Sequence, residues 1–263
     1  MLKRLTALLL ALFLIATLAA CGGSTEPEPA ADPSALAFES YSQLMQQLSV
    51  GPGQSGAYDM DFTMEIDMTF MGEREIMLSS GNMRMIVDGD NIQSYMVMET
   101  DMGELGTMVM ELYMAMEGTT VTELRMIVDG MELPSEFLEQ EMLEELFEGA
   151  VSMPDVEEEA FLSVEVEEVG GNTVMHILLD GQFLLDFALA SAGDMFADLG
   201  VEMDITLGDV PMSITLDSDD NPLSMTMDMH MTMAFEGEEI VMNMTSEFVF
   251  NAFGDSVVID ELV

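Results

Sequence analysis

The sequence predicts an α+β fold: one antiparallel β-sheet with a wet face and a buried face, and about three amphipathic helices laid on the buried side. Three observations predict it. Long stretches alternate strictly between apolar and polar residues, turn residues punctuate them at short intervals, and three other stretches carry apolar stripes at helical spacing.

The alternation is clearest from Ala57 to Met71. Tyr58, Met60, Phe62, Met64, Ile66, Met68 and Phe70 interleave with Asp59, Asp61, Thr63, Glu65, Asp67 and Thr69. Successive strand side chains point to opposite faces, so this pattern describes a strand with one face in water. Such strands belong to antiparallel sheets covered on one side. Gly72 makes a turn and Glu75 to Val87 returns. Further strands are expected over Ile92 to Thr100, Met108 to Glu117, Thr119 to Val128, Phe161 to Val169, Asn172 to Leu179, Met212 to Leu216, Leu223 to Phe235 and Glu239 to Phe250, with a short one over Ser256 to Ile259. Asp88-Gly89-Asp90-Asn91, Gly103 to Gly106, Gly118 and Asp129-Gly130 separate the earlier ones.

The helices are expected over Ala35 to Leu48, from Ser135 to about Glu148, and from about Leu184 to Leu199. Ser34 can cap the first, whose Phe38, Tyr41, Met45 and Leu48 share a face; Leu138, Met142 and Leu146 stripe the second.

The N-terminus reads as processing signal. Lys3 and Arg4 precede an apolar run from Ala7 to Thr17, too short for a stable membrane span, and the run ends in Leu18-Ala19-Ala20-Cys21. That tetrapeptide resembles the lipobox of bacterial lipoproteins, in which the cysteine is diacylated and becomes the first mature residue. The division that follows is a signal peptide over 1–20, lipidated Cys21 and a polar tether to Ser34 (GGSTEPEPAADPS), and a folded domain over 35–263. Cys21 is the only cysteine, so no disulfide supports the domain. Two or more acyl chains there would hold the protein to the outer leaflet of the cell membrane.

The formal net charge is −46, from 51 acidic residues against five basic ones. Once Lys3 and Arg4 are removed, Arg74, Arg84 and Arg125 are the remaining strong cations. Nucleic acid and anionic head groups are therefore poor partners for the exposed surface. With 49% hydrophobic residues, the chain is nevertheless no disordered acidic tail.

Two stretches echo each other. "RMIVDG" occurs at 84–89 and 125–130, and the hairpin sequence at 68–76 resembles that at 233–240. Two related halves, 57–150 and 160–260, or a small vocabulary of strand residues would each produce this. A lipobox, a tether, an amphipathic helix and long antiparallel strands together resemble the LolA/LolB and LppX-type lipoprotein superfamily. The layout looks closest to lipoproteins of that fold from Gram-positive bacteria, with "DSDDNPLSMTMDMHMTM" (217–233) similar to their acidic turn, proline and Met-rich strand. The resemblance implies a strongly curved, unclosed half-barrel, with the helices on its concave face and lipid or acylated cargo held there. Met60, Phe62, Met64, Ile66, Met68, Met108, Met110, Leu112, Met114, Met227, Met229 and Met231 are the expected lining.

Metal binding is the competing expectation. Met225, Met227, Met229, Met231 and Met233 share one strand face, but neighbours along it stand about 6.5–7 Å apart and His230 points the other way. Their interchange with Phe, Ile and Leu elsewhere marks methionine as apolar filler, suited to adaptable greasy surfaces. Asp217, Asp219, Asn221 and Asp228 imitate a calcium loop, yet Pro222 stands where its turn needs glycine. His176 reads as a strand residue with a satisfied partner. A structural or sensory envelope module without a small ligand is a further alternative.

No cofactor and no enzymatic activity are expected. "GQSGA" (53–57) misses the nucleophile-elbow pattern at Ala57, and the sequence has no zinc-ligand spacing and no phosphate-cradling glycine loop.

Overall fold

A computed structural model describes residues 54–70, 72–103, 106–118, 120–133, 160–186, 203–218, 221–235 and 238–259. They form twelve strands: β1 (Gln54–Phe70), β2 (Glu73–Gly89), β3 (Asn91–Asp101), β4 (Thr107–Glu117), β5 (Thr120–Val128), β6 (Met131–Leu133), β7 (Phe161–Val169), β8 (Asn172–Leu179), β9 (Met203–Leu207), β10 (Val210–Leu216), β11 (Pro222–Phe235) and β12 (Glu238–Phe253). All belong to one sheet in the order β6-β5-β4-β3-β2-β1-β12-β11-β10-β8-β7, with β9 also paired to β11. Every pairing is antiparallel.

This order is an up-and-down meander whose two ends meet: β1, the first strand, pairs with β12, the last, from Tyr58↔Phe253 to Phe70↔Ile240. Pairing of β6 with β7 would close a barrel. Among the described residues that pairing is not made, and the curved sheet is an unclosed half-barrel.

The α+β expectation is corrected here. The described residues are almost entirely antiparallel strand, and their one α-helical segment is a short turn over 181–186. It starts earlier than Leu184 because Asp180 caps it: Asp180 Oδ1 accepts the backbone N–H groups of Gln182 and Phe183 at 2.8 and 3.1 Å. The helices expected over 35–48 and 135–148 lie outside the described residues, as does most of that over 184–199. The inner side chains of the described strands pack into a cluster of their own. Tyr58, Met60 and Phe62 of β1 belong to the same packed cluster as Ile177 and Leu179 of β8 and Val210 of β10. The cluster runs through neighbouring strands, from β1 across β12, β11 and β10 to β8. Ser256 to Ile259 is also no strand; a 3₁₀ turn over Gly254–Ser256 leads into irregular chain.

The turns follow residue chemistry. Asp129 (φ 50°) and Gly130 (φ 76°) both take the left-handed conformation that a two-residue hairpin loop requires, as do Gly170 and Gly171 between β7 and β8. Gly81 has a different task. A Cβ there would run into the Val97 carbonyl oxygen and come within 2.8 Å of the Phe62 ring. Its missing side chain leaves room for the Phe62 ring and for the close approach of the β3 backbone.

Candidate functional site

Register assigns each strand residue to a face. Across β2, β1 and β12, Met83 pairs with Met60, Gly81 with Phe62, and Phe62 with Phe248. Following the partners outward, Met96 and Met98 of β3, Leu112 and Met110 of β4, and Met126 of β5 share that face. On the other side it continues through Met225 of β11, Ile214 of β10 and Met175 of β8. Every methionine of the described strands falls in this register. Because the packed cluster draws on strands from β1 to β12, this is the concave, inner face.

The expected lining residues all lie on it. Met60, Phe62, Met64, Ile66, Met68, Met114, Met227, Met229 and Met231 are buried, while Met108, Met110 and Leu112 are half-buried. They are not one contiguous patch. Met64 and Met227 are separated only by Ser246 of β12, whereas Met108 to Met114 stand on β4, three strands from β1. The strand between β1 and β11 was expected over Glu239 to Phe250, but its residues were left out of the expected lining. Met242, Met244, Ser246, Phe248 and Phe250 of β12 occupy the centre of the face, and their alternation in "VMNMTSEFVF" was the available signal.

Three buried serine and threonine hydroxyls interrupt the apolar surface. Ser79 and Thr100 are buried and hydrogen-bonded to each other, Oγ to Oγ1, at 2.9 Å. Ser246 is 1% exposed, and among the described residues its Oγ has no partner. Tyr58, by contrast, donates its hydroxyl to the Met85 sulfur at 3.3 Å.

The outer face is mostly polar, broken by exposed Ile76, Leu78 and Val249, and several of its charges are paired. Asp67 takes both Arg74 Nε and Nη2 at 2.8 Å, and this hydrogen-bonded cation holds its carboxyl below the usual carboxylate range. Arg84 Nε lies 3.2 Å from Asp59 without hydrogen-bond alignment, while Asn82 bridges Asp59 and Asp61. Partial burial, followed by the neighbouring Glu111 carboxylate, raises the Tyr95 phenol above its ordinary value.

The two histidines also face outward. His176 hydrogen-bonds Ser213 at 2.8 Å and Glu167 at 3.2 Å, and His230 reaches Asn243 at 2.7 Å. In the acidic turn before β11, Asn221 binds both carboxylate oxygens of Asp217, at 3.2 and 3.1 Å, forming a hairpin rather than an open cation loop. Among the described residues, no group of three His, Cys, Asp or Glu side chains is arranged to hold a metal ion.

No family model matches the chain, and no curated protein matches it. Among solved structures, the ywiB protein from Bacillus subtilis is similar at 10% identity over 74% of this chain and 94% of its own, with a TM-score of 0.23. A beta-barrel-like protein of the domain of unknown function DUF1849 from Brucella abortus is similar at 10% identity over 75% and 98%, with a TM-score of 0.23. A DUF1329 family protein from Desulfovibrio piger is 9% identical over 88% and 96%, at 0.24. At these TM-scores the similarity carries no argument about function, and the half-barrel description stands on strand order and register.

Proposed function

We propose that this chain is a membrane-anchored extracytoplasmic lipoprotein that binds or carries a hydrophobic ligand, a lipid or acylated molecule, against the inner face of its half-barrel. The observation that carries the reading is the one-sided distribution of methionine. Flexible, polarizable side chains cover the concave face from β6 to β8, and carboxylates coat the outside. Such a surface adapts to varied acyl chains, and burying each CH₂ contributes about 0.8 kcal/mol. The resemblance to the LolA/LolB and LppX-type carriers supports the same function. The lipobox at Cys21, which lies outside the described residues, supports the anchor. No reaction is proposed.

Native mass spectrometry of the gently purified protein tests this reading. Bound lipid in the mass spectrum and saturable binding of the apolar dye N-phenyl-1-naphthylamine are the expected results. A ligand-free mass together with no dye binding would remove the carrier reading. Membrane fractionation of wild type against Cys21→Ala tests the anchor separately, with loss from the membrane expected for the variant.

A second reading has one observation in its favour. A single strand cannot gather methionine ligands, but the register sets Met68, Met242 and Met231 side by side across β1, β12 and β11. Neighbours across strands stand about 4.5–5.5 Å apart at Cβ, within reach of one soft ion. Copper(I) titration under reducing conditions decides it, since a metal-free protein with no thermal shift excludes this reading.

A further inference from the structure

The inner register of β12 runs Met242, Met244, Ser246, Phe248, Phe250. A serine in that line gives up apolar contact and places a hydroxyl among methionines. Its cross-strand neighbours are Met64 on one side and Met227 on the other. Buried hydroxyls are nearly always hydrogen-bonded, and one left unpaired in an apolar setting is destabilising. Ser246 Oγ has no partner among the described residues. The position therefore calls for an explanation other than packing.

Its place in the sheet supplies one. Ser246 pairs with Met64, Met64 with Ser79, and Ser79 with Thr100, so all four stand at one level across β12, β1, β2 and β3. In the Ser79–Thr100 pair one hydroxyl donates to the other, which leaves a second O–H proton unused by that bond. The level is thus a band of hydroxyl donors crossing an otherwise apolar face. With adjacent strands roughly 4.8 Å apart, Ser246 and Ser79 lie on the order of 10 Å from each other along the band. Hydrocarbon alone would gain nothing from it, whereas a carbonyl oxygen is an acceptor matched to an unpaired hydroxyl.

We propose that Ser246, at one level with the Ser79–Thr100 pair on the inner face, is a polar subsite that donates a hydrogen bond to the carbonyl oxygen of an acyl ester lying among the methionines. This rests on the lipid-binding reading above and narrows it, from any hydrophobic ligand to one carrying an ester carbonyl within its apolar length. Ser246 binds and orients the ligand, and no bond is made or broken.

The test uses the full chain carrying Cys21→Ser, with N-phenyl-1-naphthylamine displaced by methyl dodecanoate or by tridecane. Wild-type Ser246 should favour the ester over the alkane by about five- to tenfold, the scale of one hydrogen bond. Ser246→Ala should lose that preference, keep its alkane affinity, and resist urea at least as well, because the unpaired hydroxyl is gone. Ser246→Thr, which keeps a hydroxyl, should retain the preference. Infrared spectra of the ester labelled with ¹³C at the carbonyl need no variant, and the bound carbonyl stretch should fall below its value in alkane. Equal ester affinity in Ser246→Ala, or an unshifted carbonyl, overturns the subsite and leaves the carrier reading standing. Failure of the dye itself to bind overturns the carrier reading, and the subsite with it.

Discussion

The Phe62 ring lies directly against Gly81, the residue opposite it on β2, and occupies the space a side chain there would fill. Gly81→Ala places a methyl group against both this ring and the Val97 carbonyl oxygen of β3. Backbone cannot yield as a flexible side chain can, so β2 and β3 must move apart. The variant should lose about 3 kcal/mol or more. Urea unfolding followed by circular dichroism checks it, and a midpoint within error of wild type would show that the close approach at Gly81 is not needed.

Asp67 and Arg74 clasp each other beside the β1–β2 turn, with Arg74 exposed to solvent. The pair lowers the Asp67 pKa in the folded state, so its contribution is fully present above the unfolded carboxylate value of about 3.9 and is lost as pH falls through the lower folded value. Thermal melts of wild type and Arg74→Ala should therefore differ near pH 6 and converge as the solution is taken below that folded value. Carbon-detected NMR should place the Asp67 midpoint lower in wild type than in the variant.

Met227 and Met131 share a face but not an environment. Met227 is 2% exposed between β10 and β12, while Met131 on edge strand β6 is 69% exposed. Met227→Ala should cost about 2–5 kcal/mol through lost burial and the space left behind. Met131→Ala should change stability by about 0.5 kcal/mol or less. Chemical denaturation of both variants measures the contrast, and equal effects would contradict the packing described.

Asp180 satisfies two backbone donors at the start of the 181–186 turn. Gly181 seats that turn against the β9–β10 junction, where a Cβ would run into the Gly208 backbone. Asp180→Ala should destabilise the protein by about 1 kcal/mol. Hydrogen exchange should report the loss at Gln182 and Phe183 before it is seen in the strands.

The formal charge of −46 on so few cations predicts a stability that rises with ionic strength. Raising sodium chloride from 50 to 500 mM shortens the Debye length from roughly 14 Å to about 4 Å and should increase Tm. A flat or falling Tm would mean that the carboxylates repel one another little in the folded state.

Much of the sheet was legible in residue order. Phe161 to Val169 and Asn172 to Leu179 coincide with β7 and β8, and the long strands differ from their expected limits by a few residues. Period-two alternation works well where one face is wet and the other dry. It fails for β6 and β9, of three and five residues, because so short a run holds too few alternations to stand out from turn or helix. The α+β expectation failed for a different reason. A dry face must be covered, but alternation does not say by what, and in the described residues one cluster runs across adjacent strands from Met60 of β1 to Leu179 of β8.

The sequence by itself determined which way each strand side chain points. Alternate residues take opposite faces whatever the partner, so methionines were bound to gather on one side and most carboxylates on the other. Only the tertiary structure decided which of them became neighbours. Antiparallel pairing of β1 with β12 brings Met64 beside Ser246, and the curvature of the sheet turns the apolar side inward. Neighbours of that kind depend on register between segments far apart in the chain, and on backbone curvature that no local periodicity records.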